Sequence, residues 1–299
     1  MFRLLAGCAL LIAILFFSSC QEVDKKKVES SPDINKYQVD GNKEKLISLD
    51  GELVSIPSPL QSAIFIKENG SGFKQQLLLD AKDLDPYQTN SQKAIALGVY
   101  GAELGYVSLY EENDLAIGYM NTARKLADDV GISNAFDERL IERFSENMGK
   151  PDSLVVLVSD IYEAADSYLK TNERNDMAAL ILFGGWIESL YITGREAETG
   201  SEEVKQRLAE QKSGYERMYR LLQKEADNAA VKAMMPLLDE LKAAFDKVSS
   251  KYVYQRPELR YVEQLTILKS KVENDMNDES MVEIINAITA LRNHITGKK

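Results

Sequence analysis

The chain is expected to be all-α: an irregular helical array or bundle of about eight or nine helices that follows a flexible N-terminal tether. Three observations point there. From Asn90 onward apolar residues recur at spacings of three and four, which places them on single helix faces. The joints between these stretches are short, as between packed helices. With 44% apolar and 28% charged residues over 299 positions, the composition is that of a soluble domain able to bury one sizeable core.

The first element is an export signal. Met1-Phe2-Arg3 supplies a positive end, and Leu4 to Phe17 is an apolar run that closes on Ser18-Ser19-Cys20-Gln21. At about 14 residues it is too short to span a hydrocarbon core, which takes about 20 in a helix. Small residues ahead of Cys20 resemble a bacterial lipobox, with Phe17 where Leu is usual. That resemblance implies a signal peptide over 1–19 and acyl chains, palmitate among them, on Cys20; the alternative is a secreted form without lipid. Removing 1–19 takes away Arg3 and Cys8, so the net charge goes from -11 to -12 and no free thiol remains once Cys20 is acylated. Residues 20–57 are polar and read as a tether, Lys25, Lys26 and Lys27 keeping it solvated. Within it, Ile47 to Leu53 carries a weak hairpin signal at Asp50-Gly51.

The helical domain is expected over 58–299. Pro59 opens a short helix through Glu68, which Asn69-Gly70-Ser71-Gly72 ends. Further helices are expected near 91–110, 113–130, 136–149, 152–170, 175–193, 201–225, 228–249, 258–276 and 280–296. Gly98, Gly101, Ala102 and Gly105 form a small-residue strip on the 91–110 helix, and Ala116, Ala123 and Ala127 offer a face for it in a helical hairpin. The segment Asp176 to Thr193 is apolar almost all round with Glu188 as its one ionisable interior residue, so it belongs in the middle of the domain. Gly184 and Gly185 there cost about 1 kcal/mol each against Ala, which close backbone packing would offset. Pro236 either kinks the 228–249 helix or opens a new one. Met281, Ile284, Ile285, Ile288, Leu291 and Ile295 form the last stripe, with Ser280 and Glu283 as a capping box.

Lys93 to Asp129 resembles one tetratricopeptide-type helix pair. Leu104-Gly105 match that family, while Gly101 and Ser108 stand where Trp and Tyr are usual, and no second copy follows. Together with the lipobox, PSPLQ at 58–62, LGVYGAELGY at 97–106 and GGWIESLYI at 184–192 resemble uncharacterised all-helical lipoproteins of Bacteroidetes-type bacteria. That resemblance implies an envelope location and an all-α fold, and brings no activity with it.

Much chemistry is excluded by count. A net charge of -11 lacks the cationic footprint of a nucleic-acid binder. His294 is the one histidine and sits near the C-terminus, which leaves no Ser-His or Cys-His pair of ordinary design and no His/Cys zinc site. Gly70-Ser71-Gly72 lacks the Lys of a phosphate loop, and Asp275, Asn277 and Glu279 lack the loop glycine of a calcium-binding hand. No metal or cofactor is expected. Binding remains: Tyr100, Glu103, Tyr106 and Tyr110 share one helix, and Trp186, Glu188 and Tyr191 another, and aromatics beside a carboxylate suit a peptide or sugar. Core filling by the same rings, with Glu188 in an internal ion pair, is the competing reading.

The expected function is thus a non-enzymatic, protein- or peptide-binding helical module. Its partners are the membrane, through the N-terminal lipid on the periplasmic side of the outer membrane, and an envelope protein or peptide. The alternatives are a carboxylate-based glycan hydrolase, with Glu188 as acid and Glu103 or Asp160 as second carboxylate, and a small-ligand binder near Trp186.

Overall fold

The computed structural model describes residues 46–49, 52–55, 58–133, 138–147, 150, 153, 157, 171, 174–260, 265–267 and 269–298. The signal segment, Cys20, most of the 20–57 stretch, Asp160 and most of the helix expected at 152–170 lie outside the described residues.

The fold is all-α. Among the described residues the helices are α1 Pro59–Asn69, α2 Asn90–Leu109, α3 Asn113–Asp129, α4 Glu138–Glu146, α5 Asn175–Ala197, α6 Glu202–Lys224, α7 Ala229–Asp246 and α8 Asp278–Thr296. Two of them begin where the sequence supplies reciprocal caps. Ser58 Oγ accepts from the Gln61 N–H at 3.2 Å while Gln61 Oε1 accepts from the Ser58 N–H at 3.0 Å, with Pro59 at the first helical position. Thr89 and Gln92 do the same for α2, at 3.2 and 3.0 Å.

α5 is the central helix, apolar and buried along nearly all its length. α2 crosses it, and the crossing is backbone on backbone. A Cβ at Gly98 would lie 2.0 Å from the Ile181 carbonyl oxygen, and one at Gly184 would lie 1.9 Å from that of Ile95. The glycines are therefore the condition for the contact, and close packing is what offsets their poor helix propensity. α3 packs on α2 as the expected hairpin, with Ala116, Ala123 and Ala127 buried. The α2 small-residue strip serves more than that partner, since Gly98 faces α5 and Gly105 faces Leu60 of α1. α1, α6 and α8 also pack on α5, and α7 pairs with α8. Pro236 lies inside α7, which is a single helix.

Between α1 and α2 the chain runs as a strap from Gly70 to Thr89 whose one regular piece is a 3₁₀ turn, Gln75–Leu77. Leu77, Leu78, Leu79 and Tyr87 are buried, so this stretch of irregular backbone crosses the interior.

Two expectations are corrected. The 258–276 segment is not a helix. β3 Ser249–Val253 and β6 Lys271–Asp275 pair antiparallel, Tyr252 opposite Val272, and between them β4 Glu258–Arg260 pairs with β5 Leu265–Ile267, Leu259 opposite Thr266. Thr266, Ile267 and Val272 within that segment are β-branched, as is Val253 on the strand that pairs with it, and such residues suit extended backbone. The second correction is the α8 cap. Asn277, not Ser280, holds that place, its side chain accepting from the Ser280 N–H at 2.8 Å, while Glu283 pairs with Lys247. This fixes Asn277 as a helix cap rather than a calcium ligand. Ahead of the helices, β1 Leu46–Leu49 and β2 Glu52–Ser55 form the antiparallel pair that Asp50-Gly51 signals, inside the stretch read as tether.

Candidate functional site

The seven candidate binding residues lie on α2, at its C-cap Tyr110, and on α5, and the structure sorts them into three separate places. Glu103 and Glu188 come together at the centre, both with 0% exposure. Arg292 of α8, itself buried, reaches them, its Nε and Nη2 donating to the two Glu188 oxygens at 2.9 Å each. The same Nη2 donates to the Leu77 carbonyl at 3.2 Å and stands 3.6 Å from Glu103 Oε1. Tyr191 is half-buried, its ring centroid 4.4 Å from the guanidinium carbon. A fork with two parallel bonds to one carboxylate is the strongest geometry available to this pair, and it makes Glu188 the negative partner.

Glu103 is the odd acid. Its Oε1 accepts the Leu79 N–H at 2.7 Å, whereas its Oε2 is buried and has no donor. Burial first, then the Glu188 charge, hold its carboxyl well above the usual glutamate range, against the opposing pull of Arg292 and the Leu79 N–H. Glu188 lies within hydrogen-bonding reach. A proton on Glu103 Oε2 therefore resolves both problems: the orphan oxygen becomes a donor to Glu188, and three buried ionisable groups become one ion pair.

The surrounding polar groups explain why the cluster exists. The strap has no helix or sheet partner for its backbone, and the helices provide side chains instead. Leu79 donates to Glu103 and its carbonyl accepts from Tyr119 Oη at 2.7 Å. The Tyr100 hydroxyl reaches the carbonyls of Asp80 and Asp83 at 3.1 and 2.8 Å. Thr122 donates to the Ala81 carbonyl and Lys298 to that of Leu78. Burial raises the phenols of Tyr100 and Tyr119 above their ordinary value, so they stay protonated donors.

Tyr106 and Tyr110 belong to a second cluster, with Phe73, whose ring lies 5.6 and 5.5 Å from theirs. Tyr106 Oη accepts the Lys74 N–H at 3.1 Å. Close by, Glu196 is fully buried and accepts from the Ser71 N–H at 3.1 Å and its hydroxyl at 2.9 Å, with Lys74 Nζ at 3.1 Å. The Gly70-Ser71-Gly72 turn thus holds a protein carboxylate. Trp186 is in a third place, buried against Tyr215 at 6.2 Å.

Five of the seven candidates are buried, with Tyr110 and Tyr191 half-buried. The two carboxyls proposed for hydrolysis are likewise closed off from solvent, one as the counter-ion of Arg292. Among the described residues no group of three or more His, Cys, Asp or Glu side chains is arranged to hold a metal ion. The residues that sequence reasoning missed are Arg292, Tyr119, Glu196 and the strap. A signal for Arg292 was present, because it falls four positions after Ile288 within the last apolar stripe.

The shared proton has a measurable consequence. An acid whose folded pKa is raised stabilises the fold below its unfolded value, near 4.3, and that contribution is lost as pH rises toward the folded value. The slope approaches about 1.4 kcal/mol per pH unit while the two states differ by one proton. Glu103→Gln keeps an oxygen for Leu79, gives Glu188 an N–H donor and removes the titration. Its melting temperature is expected to match the wild type near pH 4.5 and to exceed it increasingly toward pH 7.5; parallel profiles would show that Glu103 is ionised in the fold.

No protein-family model, no curated protein and no solved structure matches this chain.

Proposed function

We propose that the chain is a non-enzymatic binding module of the cell envelope, held by a lipid on Cys20 at the periplasmic side of the outer membrane. The lipobox-like segment and the resemblance to helical lipoproteins of Bacteroidetes-type bacteria support the location. The helical body is the scaffold in this reading, since its polar centre is spent on tying down its own strap. The element that meets a partner is the β3–β6 ribbon with its β4–β5 extension. One observation carries this: Tyr252, Tyr254, Leu259 and Val272 are 65%, 69%, 52% and 53% exposed, four of the six large apolar side chains that the described residues leave open. Apolar side chains gathered on one element mark a contact surface.

A photo-crosslinking residue in place of Tyr254, in the full-length protein in its own membranes, tests the reading. A control at Glu240, exposed on α7, reports random encounters. Adducts to an envelope component at 254 and not at 240 are expected. Absence of any adduct at 254 would sink the reading.

A further inference from the structure

We infer that residues 79–86, the middle of the strap, are a proton-latched cover: it stays seated while the Glu103–Glu188 pair holds its proton, and lifts to admit water to the polar centre when that proton leaves. This device belongs to the centre of the helical body and stands apart from the ribbon and the lipid anchor.

The cover is thin. Glu103 is fully buried, yet Leu79, whose N–H it accepts at 2.7 Å, is followed directly by exposed Asp80, and Lys82, Asp83 and Asp85 are exposed as well. On its other sides the carboxyl meets buried groups of whole helices, Glu188 of α5 and Arg292 of α8. The segment is clamped at both ends. Before it, the Leu77 and Leu78 carbonyls accept from Arg292 and Lys298 at 3.2 Å each. After it, Tyr87 is buried, and Pro86 lies so near Gly297 that a Cβ there would fall 2.9 Å from it. Between the clamps the helices hold the backbone by neutral hydroxyls, those of Tyr100, Tyr119 and Thr122, each worth about 1 kcal/mol net. Leu79 is the one buried side chain among these eight residues. Lifting this stretch is therefore the least costly way for water to reach the centre.

Charge supplies the drive. The groups that face Glu103 are Glu188 from α5, Arg292 from α8 with Lys298 just beyond it, Tyr119 from α3, Tyr87 from the strap and Tyr100 from its own helix. Asp80 and Asp83 of the cover add negative charge at Tyr119 and Tyr100. Burial raises all three phenols, so they stay neutral, and it lowers Lys298, which is bound at the edge to the Leu78 carbonyl. Once the shared proton leaves, Arg292 faces two buried carboxylates, and Glu103 Oε2, which has no donor, needs water. The sign follows from the raised acid: the cover is latched at low pH, and the latch is lost as pH rises toward the closed-state value. The lifted state leaves the Tyr100, Tyr119 and Thr122 hydroxyls without their carbonyl acceptors, so pH sets how far this row of donors faces solvent.

Amide exchange of the full-length protein in mild detergent, read by mass spectrometry over residues 77–87 from pH 5 upward, tests this, with the slowest amides of α5 marking global unfolding. Exchange from an open amide quickens about tenfold per pH unit, and an opening that releases one proton adds about another tenfold while reclosing outpaces exchange. The cover amides are therefore expected to quicken about a hundredfold per unit and to stay faster than the slowest α5 amides. Glu103→Gln keeps an acceptor for Leu79 and removes the titration, so its cover should quicken only about tenfold per unit. A wild-type cover that quickens only about tenfold per unit overturns the inference. So does a steeper slope that persists in Glu103→Gln, which would assign the titration to Lys298 or another group. Cover amides no faster than the slowest of α5 overturn it too, since the centre would then open only with the whole domain. The wild-type slope decides the matter even if Glu103→Gln fails to fold.

Discussion

Arg292→Met is expected to cost about 3 to 5 kcal/mol of folding stability, the range for breaking a buried ion pair from one side. Methionine fills a similar volume, so the loss is electrostatic. Glu188 would keep its charge with neither of its two 2.9 Å donors, and the Leu77 carbonyl would lose its 3.2 Å bond. For a domain of this size each kcal/mol shifts the melting temperature by about 2 to 4 °C, so a fall of roughly 10 °C should be seen at neutral pH. Glu188→Gln should cost a comparable amount, because it strands the guanidinium. Glu103→Gln should not, although it replaces the same residue type at the same depth. Combining Arg292→Met with Glu188→Met should recover most of the loss, since an apolar pair of similar volume has no charge to desolvate. A single Arg292→Met variant within 1 kcal/mol of wild type would mean that water enters the centre and screens both acids.

The contrast between the two glutamates shows what the sequence could and could not carry. Glu188 is conspicuous because it interrupts an almost wholly apolar helix, and an internal ion pair is a reading that its burial requires. Its partner is 104 residues away and is one polar residue in an otherwise ordinary amphipathic stripe. Glu103 sits among small and aromatic residues, and what fixes its protonation is the Leu79 N–H and the proximity of Glu188, neither of which has a local signature. The tyrosines illustrate the same limit. Tyr100 and Tyr106 lie on one helix and looked like one surface, yet their hydroxyls serve different parts of an irregular strap that no periodicity announces. The ribbon was misread for a different reason. Both of its faces are solvated, so no clean alternation of apolar and polar residues marks it, and its apolar positions could be threaded onto a helix. Its β-branched content, Val262, Thr266, Ile267 and Val272, was the evidence against a helix there. The helix-pair glycines, by contrast, were legible in kind, since a Gly-Gly step inside a buried helix demands a close neighbour.

That neighbour makes the second large effect. Gly184→Ala is expected to destabilise by about 3 kcal/mol or more, the upper end for overpacking, because the new methyl would meet rigid backbone. Its Cβ would lie 1.9 Å from the Ile95 oxygen and 2.8 Å from the Ile95 carbonyl carbon, and no rotamer change can move either atom. Relief requires α2 and α5 to separate, which opens the crossing on which α1, α3 and α8 are assembled. Gly98→Ala should behave alike, its Cβ falling 2.0 Å from the Ile181 oxygen and 2.6 Å from the Gly185 nitrogen. Gly105→Ala on the same helix supplies the control of opposite sign. Its Cβ would meet only Leu60 Cδ1, at 3.7 Å, an ordinary contact. Alanine there should raise stability by about 0.5 to 1 kcal/mol, through helix propensity alone. Urea unfolding of the three variants reads this directly. If Gly98→Ala and Gly184→Ala prove neutral while Gly105→Ala stabilises, the two helices do not touch backbone to backbone, and the arrangement that brings Glu103 to Glu188 would have to be abandoned with them.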